Sequence, residues 1–110
     1  MAVPPEVDLA LREFRQELDR VFGTRLSRLV LFGSYARQRV HEDSDVDVLV
    51  LVEPRERRDG HRAADAAVKV MLCHPEVVLS PLVLSPAQLD ALRARERRLA
   101  RDIDREGIVL

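Results

Sequence analysis

The chain contains no tryptophan, one cysteine, one tyrosine, one lysine and four glycines among its 110 residues. Each scarcity removes a class of protein. With Cys73 alone an internal disulfide is impossible, and no Cys/His spacing of zinc type surrounds it, which fits a reducing compartment. Residues 1–22 open on Pro4-Pro5 and carry charges every few positions, so they read neither as a signal peptide nor as a membrane span. A cytoplasmic protein with no membrane contact is expected. The formal charge of −1 supplies no long-range basic field for direct binding of duplex DNA.

What is present is enough for a folded core. Hydrophobic residues make up 46% of the chain, which argues against disorder. A chain of this length buries about two-thirds of the surface that its unfolded form exposes, so residues 1–110 are expected to form a single domain. Seventeen of the 18 basic residues are arginine, a bias that the base composition of a genome explains as well as function does.

Val7, Leu11, Phe14, Leu18 and Val21 recur at steps of four and three between Pro5 and Gly23, the pattern of an amphipathic helix. Leu29 to Phe32 reads as a buried strand ending in the turn Gly33-Ser34. Val46 to Val52 is apolar on both faces, as a central strand covered on both sides would be. Glu53 to Gly60, with five Arg, Asp or Glu residues after Pro54, is expected to be a mobile loop with no need of a fixed conformation. His61 to Cys73 suggests a helix with Ala64, Ala67, Val68 and Met71 on its apolar side, ended by Pro75.

Val77 to Leu84 is a third strand, and Pro81 within it predicts an edge position or a bulge. Ser85-Pro86 then starts a helix through Leu89 and Leu92, and a further helical stretch carries Leu99 and Ile103. Gly107 closes it before a last short strand, 108–110. The order predicts an α/β (α+β) domain with a small mixed sheet flanked by helices.

The polar exceptions cluster where the first strand ends and the second begins. Gly33 lets a phosphate approach the backbone closely, and Ser34 adds a hydroxyl beside free N–H groups of the next turn. Asp45 and Asp47, two apart on a strand, would project from one face with Cα atoms about 6.6 Å apart, where they could share divalent metals. The plain alternative is a turn at 43–45, a solvated Asp47 and a glycine that merely ends a strand. Against it stands the charge. Glu42, Asp43, Asp45 and Asp47 place four carboxylates in six residues with no basic residue among them, which requires either a raised pKa or neutralising cations.

At this point Leu-Phe-Gly-Ser-Tyr-Ala-Arg at 31–37, with Ser-Asp-Val-Asp-Val-Leu-Val at 44–50, resembles the signature of the DNA polymerase β nucleotidyltransferase superfamily. The chain is most similar to its minimal nucleotidyltransferases, and Arg-Asp-Ile-Asp-Arg-Glu-Gly-Ile at 101–108 extends the likeness. The resemblance implies that Gly33 and Ser34 hold the phosphates of ATP or another nucleoside triphosphate. It implies that Asp45 and Asp47 are catalytic and bind Mg2+ in a two-metal arrangement. The reaction implied is attack of an acceptor hydroxyl on the α-phosphate with loss of pyrophosphate. Minimal members resemble antitoxins encoded beside HEPN-domain toxins, which implies a hetero-oligomer and transfer of AMP to such a toxin.

Two departures qualify the likeness. Gln38 replaces the glycine usual after Tyr-Ala-Arg, and the third carboxylate expected on the later strand falls, by count from Ser85-Pro86, on Ser80. A serine hydroxyl is no base at neutral pH, and Glu76 is about 13 Å away by strand rise. The chain would then be a slow enzyme, one completed by a partner, or a module that neutralises a toxin by binding alone. Transfer to a small molecule such as an aminoglycoside is a further, weaker reading.

Among other residues, Arg37 is a candidate to neutralise a triphosphate and equally an ordinary turn residue. Tyr35 reads as packing, and His41, His61 and His74 as solvated. Arg93, Arg95, Arg97, Arg98 and Arg101 form the one local basic stretch, a solvated helix face or a contact for triphosphate, RNA or an acidic partner.

Overall fold

A computed structural model describes residues 3–36, 45–95 and 97–110, with only the backbone of Arg97. Helix α1 (Pro5–Phe22) begins with proline at its first position, carries Glu6 and Asp8 in its first turn and ends at Gly23. A short 3-10 turn, Gly23–Arg25, leads into β1 (Leu26–Phe32). Then come β2 (Val46–Val52), α2 (Asp59–Cys73) and β3 (Leu79–Leu84). Helix α3 (Pro86–Arg95), α4 (Arg97–Arg101), a π-helical segment Asp102–Glu106 and β4 (Ile108–Val109) complete the chain. At the start of α3 the Ser85 hydroxyl accepts the Gln88 N–H and the Gln88 side chain accepts the Ser85 N–H, a reciprocal cap.

The strands described form one mixed sheet in the order β3-β2-β1-β4. β2 pairs antiparallel with β1 and parallel with β3, and β4 lies antiparallel on the other side of β1. The expected small mixed sheet flanked by helices is therefore what the chain adopts. No helix among the described residues is long and apolar enough to cross a membrane.

Alternation along β2 feeds two separate cores. Val46, Val48, Val50 and Val52 pack with Val7, Leu11, Phe14 and Leu18 of α1 and with Ala63, Ala66, Ala67 and Val70 of α2. Leu49 and Leu51 face the other way, against Val30, Phe32, Leu89 and Ile103. Gly107 is part of this second contact, because a Cβ there would stand 2.3 Å from the Ile103 carbonyl oxygen and 2.6 Å from a Val30 methyl.

β3 is an edge strand, as Pro81 predicted. Its alternate residues are closed to further pairing: Leu79 N–H donates to Met71 Sδ, Pro81 has no N–H, and the Val83 carbonyl accepts from Arg55 Nε at 3.1 Å.

Three expectations are corrected. The apolar face of α2 is Ala63, Ala66, Ala67 and Val70 with Met71 at its margin, so Ala67 and Met71 face the core as expected while Ala64 and Val68 are exposed. His74 is not solvated: its ring is largely buried, with Nε2 2.5 Å from Glu13 Oε2 of α1. The segment between β2 and α2 is pinned rather than free. Asp59 is fully buried, and its carboxylate accepts from Arg25 Nη1 at 2.8 Å, Arg25 Nη2 at 3.1 Å, Arg62 Nη1 at 2.9 Å and the Glu56 N–H at 2.7 Å. Arg25 also donates to the Pro54 carbonyl and lies over the Phe22 ring.

Burial alone would raise the Asp59 pKa, but the hydrogen bonds from Arg25, Glu56 and Arg62 outweigh it and hold the group at about 2, below its ordinary 3.8. The resulting stabilisation, about 2 kcal/mol, is present above pH 3.8 and is lost as the pH falls through about 2. Asp59→Ala is expected to lose about 2–3 kcal/mol in urea unfolding at pH 7, and its acid unfolding should lack this component. A variant within 0.5 kcal/mol of wild type, on the order of an ordinary surface change, would show that the network contributes nothing net.

Candidate functional site

The C-terminal end of β1 and the N-terminal ends of β2 and β3 lie at one edge of the sheet, as the antiparallel and parallel pairings require. Residues 33–36 form the turn that leaves β1 there. Tyr35 and Ala36 pack against the core shared with α1 and α2, so Tyr35 is a packing residue and ties the turn to the scaffold.

Asp47 is the second residue of β2, half-buried, and Asp45 stands exposed just ahead of the strand. Val46 between them is fully buried on the opposite face. Asp47 shares the face of Leu49 and Leu51 and lies in register with Phe32 of β1 on one side and Ser80 of β3 on the other. Registered neighbours on adjacent strands are about 4.8 Å apart and point the same way, which makes Phe32, Asp47 and Ser80 one row across the sheet.

Gly33 completes the row's surroundings. Its φ is +75°, a backbone conformation that glycine adopts without steric cost. A Cβ added there would meet Asp47 Oδ2 at 2.2 Å, so the turn and the carboxylate are in direct contact.

The structure thus brings Gly33 against Asp47 and sets Ser80 beside it, with Ser34 next along the turn. Arg37, together with His41, Glu42, Asp43 and Ser44, lies outside the described residues. The basic stretch is partly committed elsewhere: Arg93 donates to Asp104 through Nε and Nη2, both at 2.9 Å, and also contacts Asp90. The Asp104 contact raises the Arg93 pKa, ahead of a smaller contribution from Asp90. Arg95, Arg98 and Arg101 are exposed.

Among the described residues no group of three or more His, Cys, Asp or Glu side chains gathers in the way that an all-protein metal cage needs. The donor set at this edge is instead two carboxylates and a hydroxyl. Oxygen donors in that number suit magnesium, which is commonly held by one or two carboxylates and completed by water and substrate phosphates. Asp45 and Asp47 therefore fit the group.

Residues 11–105 match the family described as a nucleotidyltransferase domain. The chain belongs to that family. A Methanocaldococcus jannaschii protein provisionally named a protein adenylyltransferase is 37% identical over 81 residues, covering 72% of this chain and 55% of that protein. A second protein of the same organism, with the same provisional name, is 33% identical over 79 residues, covering 71% of this chain and 79% of its own length. This chain thus spans little more than half of the first relative.

A toxin–antitoxin crystallised with AMP-PNP shares the fold, at a TM-score of 0.61 and 19% identity, with 96% of this chain and 72% of that one covered.

The sequence pointed to the row's Asp47 and to Ser80 but missed Phe32 as its third member. Its signal was present: Phe32 immediately precedes Gly33, so an antiparallel return to Asp47 places the two opposite each other.

Cation binding at this pair is expected to raise Tm by about 2–4 °C in 10 mM magnesium chloride, reversibly on chelation. The Asp45→Asn, Asp47→Asn variant should show no shift. An equal shift in both proteins would place the cation elsewhere.

Proposed function

We propose that residues 1–110 act as one minimal nucleotidyltransferase unit that moves a nucleoside monophosphate, AMP from ATP, onto an acceptor hydroxyl. The observation that carries this reading is the contact of Gly33 with Asp47 at the shared strand edge, which sets the Gly33-Ser34 turn directly against a carboxylate of metal-binding type. The provisional adenylyltransferase names of two relatives support the choice of AMP, and the AMP-PNP in a protein of the same fold supports ATP.

In this reading Gly33 and Ser34 bind the triphosphate through backbone N–H groups and the Ser34 hydroxyl, and Arg37 supplies positive charge beyond them. Asp45 and Asp47 hold Mg2+, which when bound neutralises charge on the phosphates and the leaving pyrophosphate. The acceptor oxygen forms a bond to the α-phosphorus, the bond to the bridging oxygen of pyrophosphate breaks, and the acceptor proton is released to water. Ser80 stands where a carboxylate beside Asp47 could take that proton, and its neutral hydroxyl cannot do so at pH 7. Slow chemistry follows.

The partner proposed is a HEPN-type toxin, modified in a hetero-oligomer in the cytoplasm, with this chain as its antitoxin. The shared fold with a toxin–antitoxin supports it. Incubation with labelled ATP, magnesium and the product of the adjacent gene should label that partner. The Asp45→Asn, Asp47→Asn variant should lower labelling by at least about 100-fold, the scale of a lost electrostatic contribution to the transition state. Undiminished labelling in the variant would contradict the assignment.

A second reading is favoured by Ser80 itself: the module neutralises the toxin by contact alone. The two separate cleanly, because contact alone predicts that the double-Asn variant still protects cells. On the enzyme reading Ser80→Asp, which puts a carboxylate in register with Asp47, is expected to raise the transfer rate about 10-fold or more, within the range of a positioned general base. A folded Ser80→Asp with no gain would show that proton removal does not limit the reaction.

A further inference from the structure

Two glycines of this chain have positive φ, and only one of them is crowded. Gly23, at +56°, has nothing within 4 Å of the position that a Cβ would take. Gly33, at +75°, has Asp47 Oδ2 at 2.2 Å, Cγ at 3.2 Å and Cβ at 3.4 Å. The three nearest atoms thus belong to one side chain, and only the carboxylate end of it is too close for a real contact. Backbone conformation already favours glycine at residue 33, because a side chain at this φ is strained whatever the space around it. The space adds a second constraint, which falls on the Asp47 carboxylate.

We propose that Gly33 is a positioning residue for the divalent cation: by lacking a Cβ it leaves the volume in which the Asp47 carboxylate lies, and so sets the direction of its oxygens. This inference rests on the nucleotidyl-transfer reading. It adds a role separate from close approach of phosphate, because it acts through Asp47 and operates before any nucleotide is present. Any side chain at residue 33 must push Oδ2 aside. Asp47 cannot shift along its strand to compensate, because Val46 and Val48 on either side are fully buried on the opposite face. Its carboxylate must rotate, and the cation loses an oriented oxygen.

The test uses the full chain with Mn2+ alone and no nucleotide, reading free Mn2+ by its paramagnetic resonance, and a thermal double-mutant cycle. Gly33→Ala is expected to weaken Mn2+ binding at least 10-fold, as Asp47→Asn does, while Gly23→Ala, which meets only the backbone cost, stays within about twofold. In the cycle, Gly33→Ala should lower Tm more in the wild-type chain than beside Asp47→Ala, where the clashing atoms are gone and only the backbone cost remains.

If Gly33→Ala alone does not fold, recovery of a cooperative transition by adding Asp47→Ala supports the proposal. Mn2+ affinity retained within twofold in a folded Gly33→Ala chain overturns it, as does a Tm loss that Asp47→Ala leaves unchanged. A wild-type chain that binds Mn2+ no better than Asp47→Asn overturns the underlying site assignment, and this inference with it. That result is distinguishable from the others because it appears without any change at Gly33.

Discussion

Strand β2 is apolar on both faces, and a strand of that kind needs a cover on each side and a partner on each edge. Helices α1 and α2 cover Val46, Val48, Val50 and Val52, while α3 and the π-helical segment bring Leu89 and Ile103 over Leu49 and Leu51. Within this arrangement Asp47 is the one polar position of the strand. A slip of one residue would turn Asp47 into the α1–α2 core and every valine out of it, so hydrophobic burial fixes which face the carboxylate occupies. The same register brings Phe32 and Ser80 to its flanks and Gly33 against its oxygens.

Charge is used differently at the two ends of β2. Past Val52, Asp59 is buried and satisfied by two arginines and a backbone N–H, and it locks the connection into α2 to the start of β1. At the start of β2, Asp45 and Asp47 flank Val46 as like charges, and Asp47 lies against the turn at 33–36. One buried carboxylate holds the fold, and the pair at the other end is the one proposed for chemistry. The near-zero net charge of the chain conceals this division, so composition argued against a duplex binder without revealing the acidic pair.

Much of this was legible in the residues. Periodicity gave α1, the run Val46–Val52 gave a central strand, and Pro81 gave the edge position of β3, because each signal is local and strong. Counting back from Ser85-Pro86 landed on Ser80, and the parallel register with Asp47 gives that position its meaning. What was missed depends on distance in sequence. Glu53 to Gly60 looked like a solvated loop because Asp59 finds Arg25 across 34 residues, and no local pattern announces such a pairing. His74 meets Glu13 across 61 residues for the same reason. The core face of α2 was only partly read, because its alanines are spread around the helix and the larger Val68 drew the choice to the exposed side.

The central claim is that the edge formed by Gly33, Asp45 and Asp47 is where a cation and a triphosphate meet. The most direct measurement is a crystal structure of the chain with Mn2+ and a non-hydrolysable ATP analogue, with data collected at the manganese absorption edge. The account predicts anomalous density bridging the Asp45 and Asp47 carboxylates to the phosphates, with the phosphates against the backbone of Gly33 and Ser34. Manganese or nucleotide bound away from these residues, with the Asp47 carboxylate free of any metal, would contradict it.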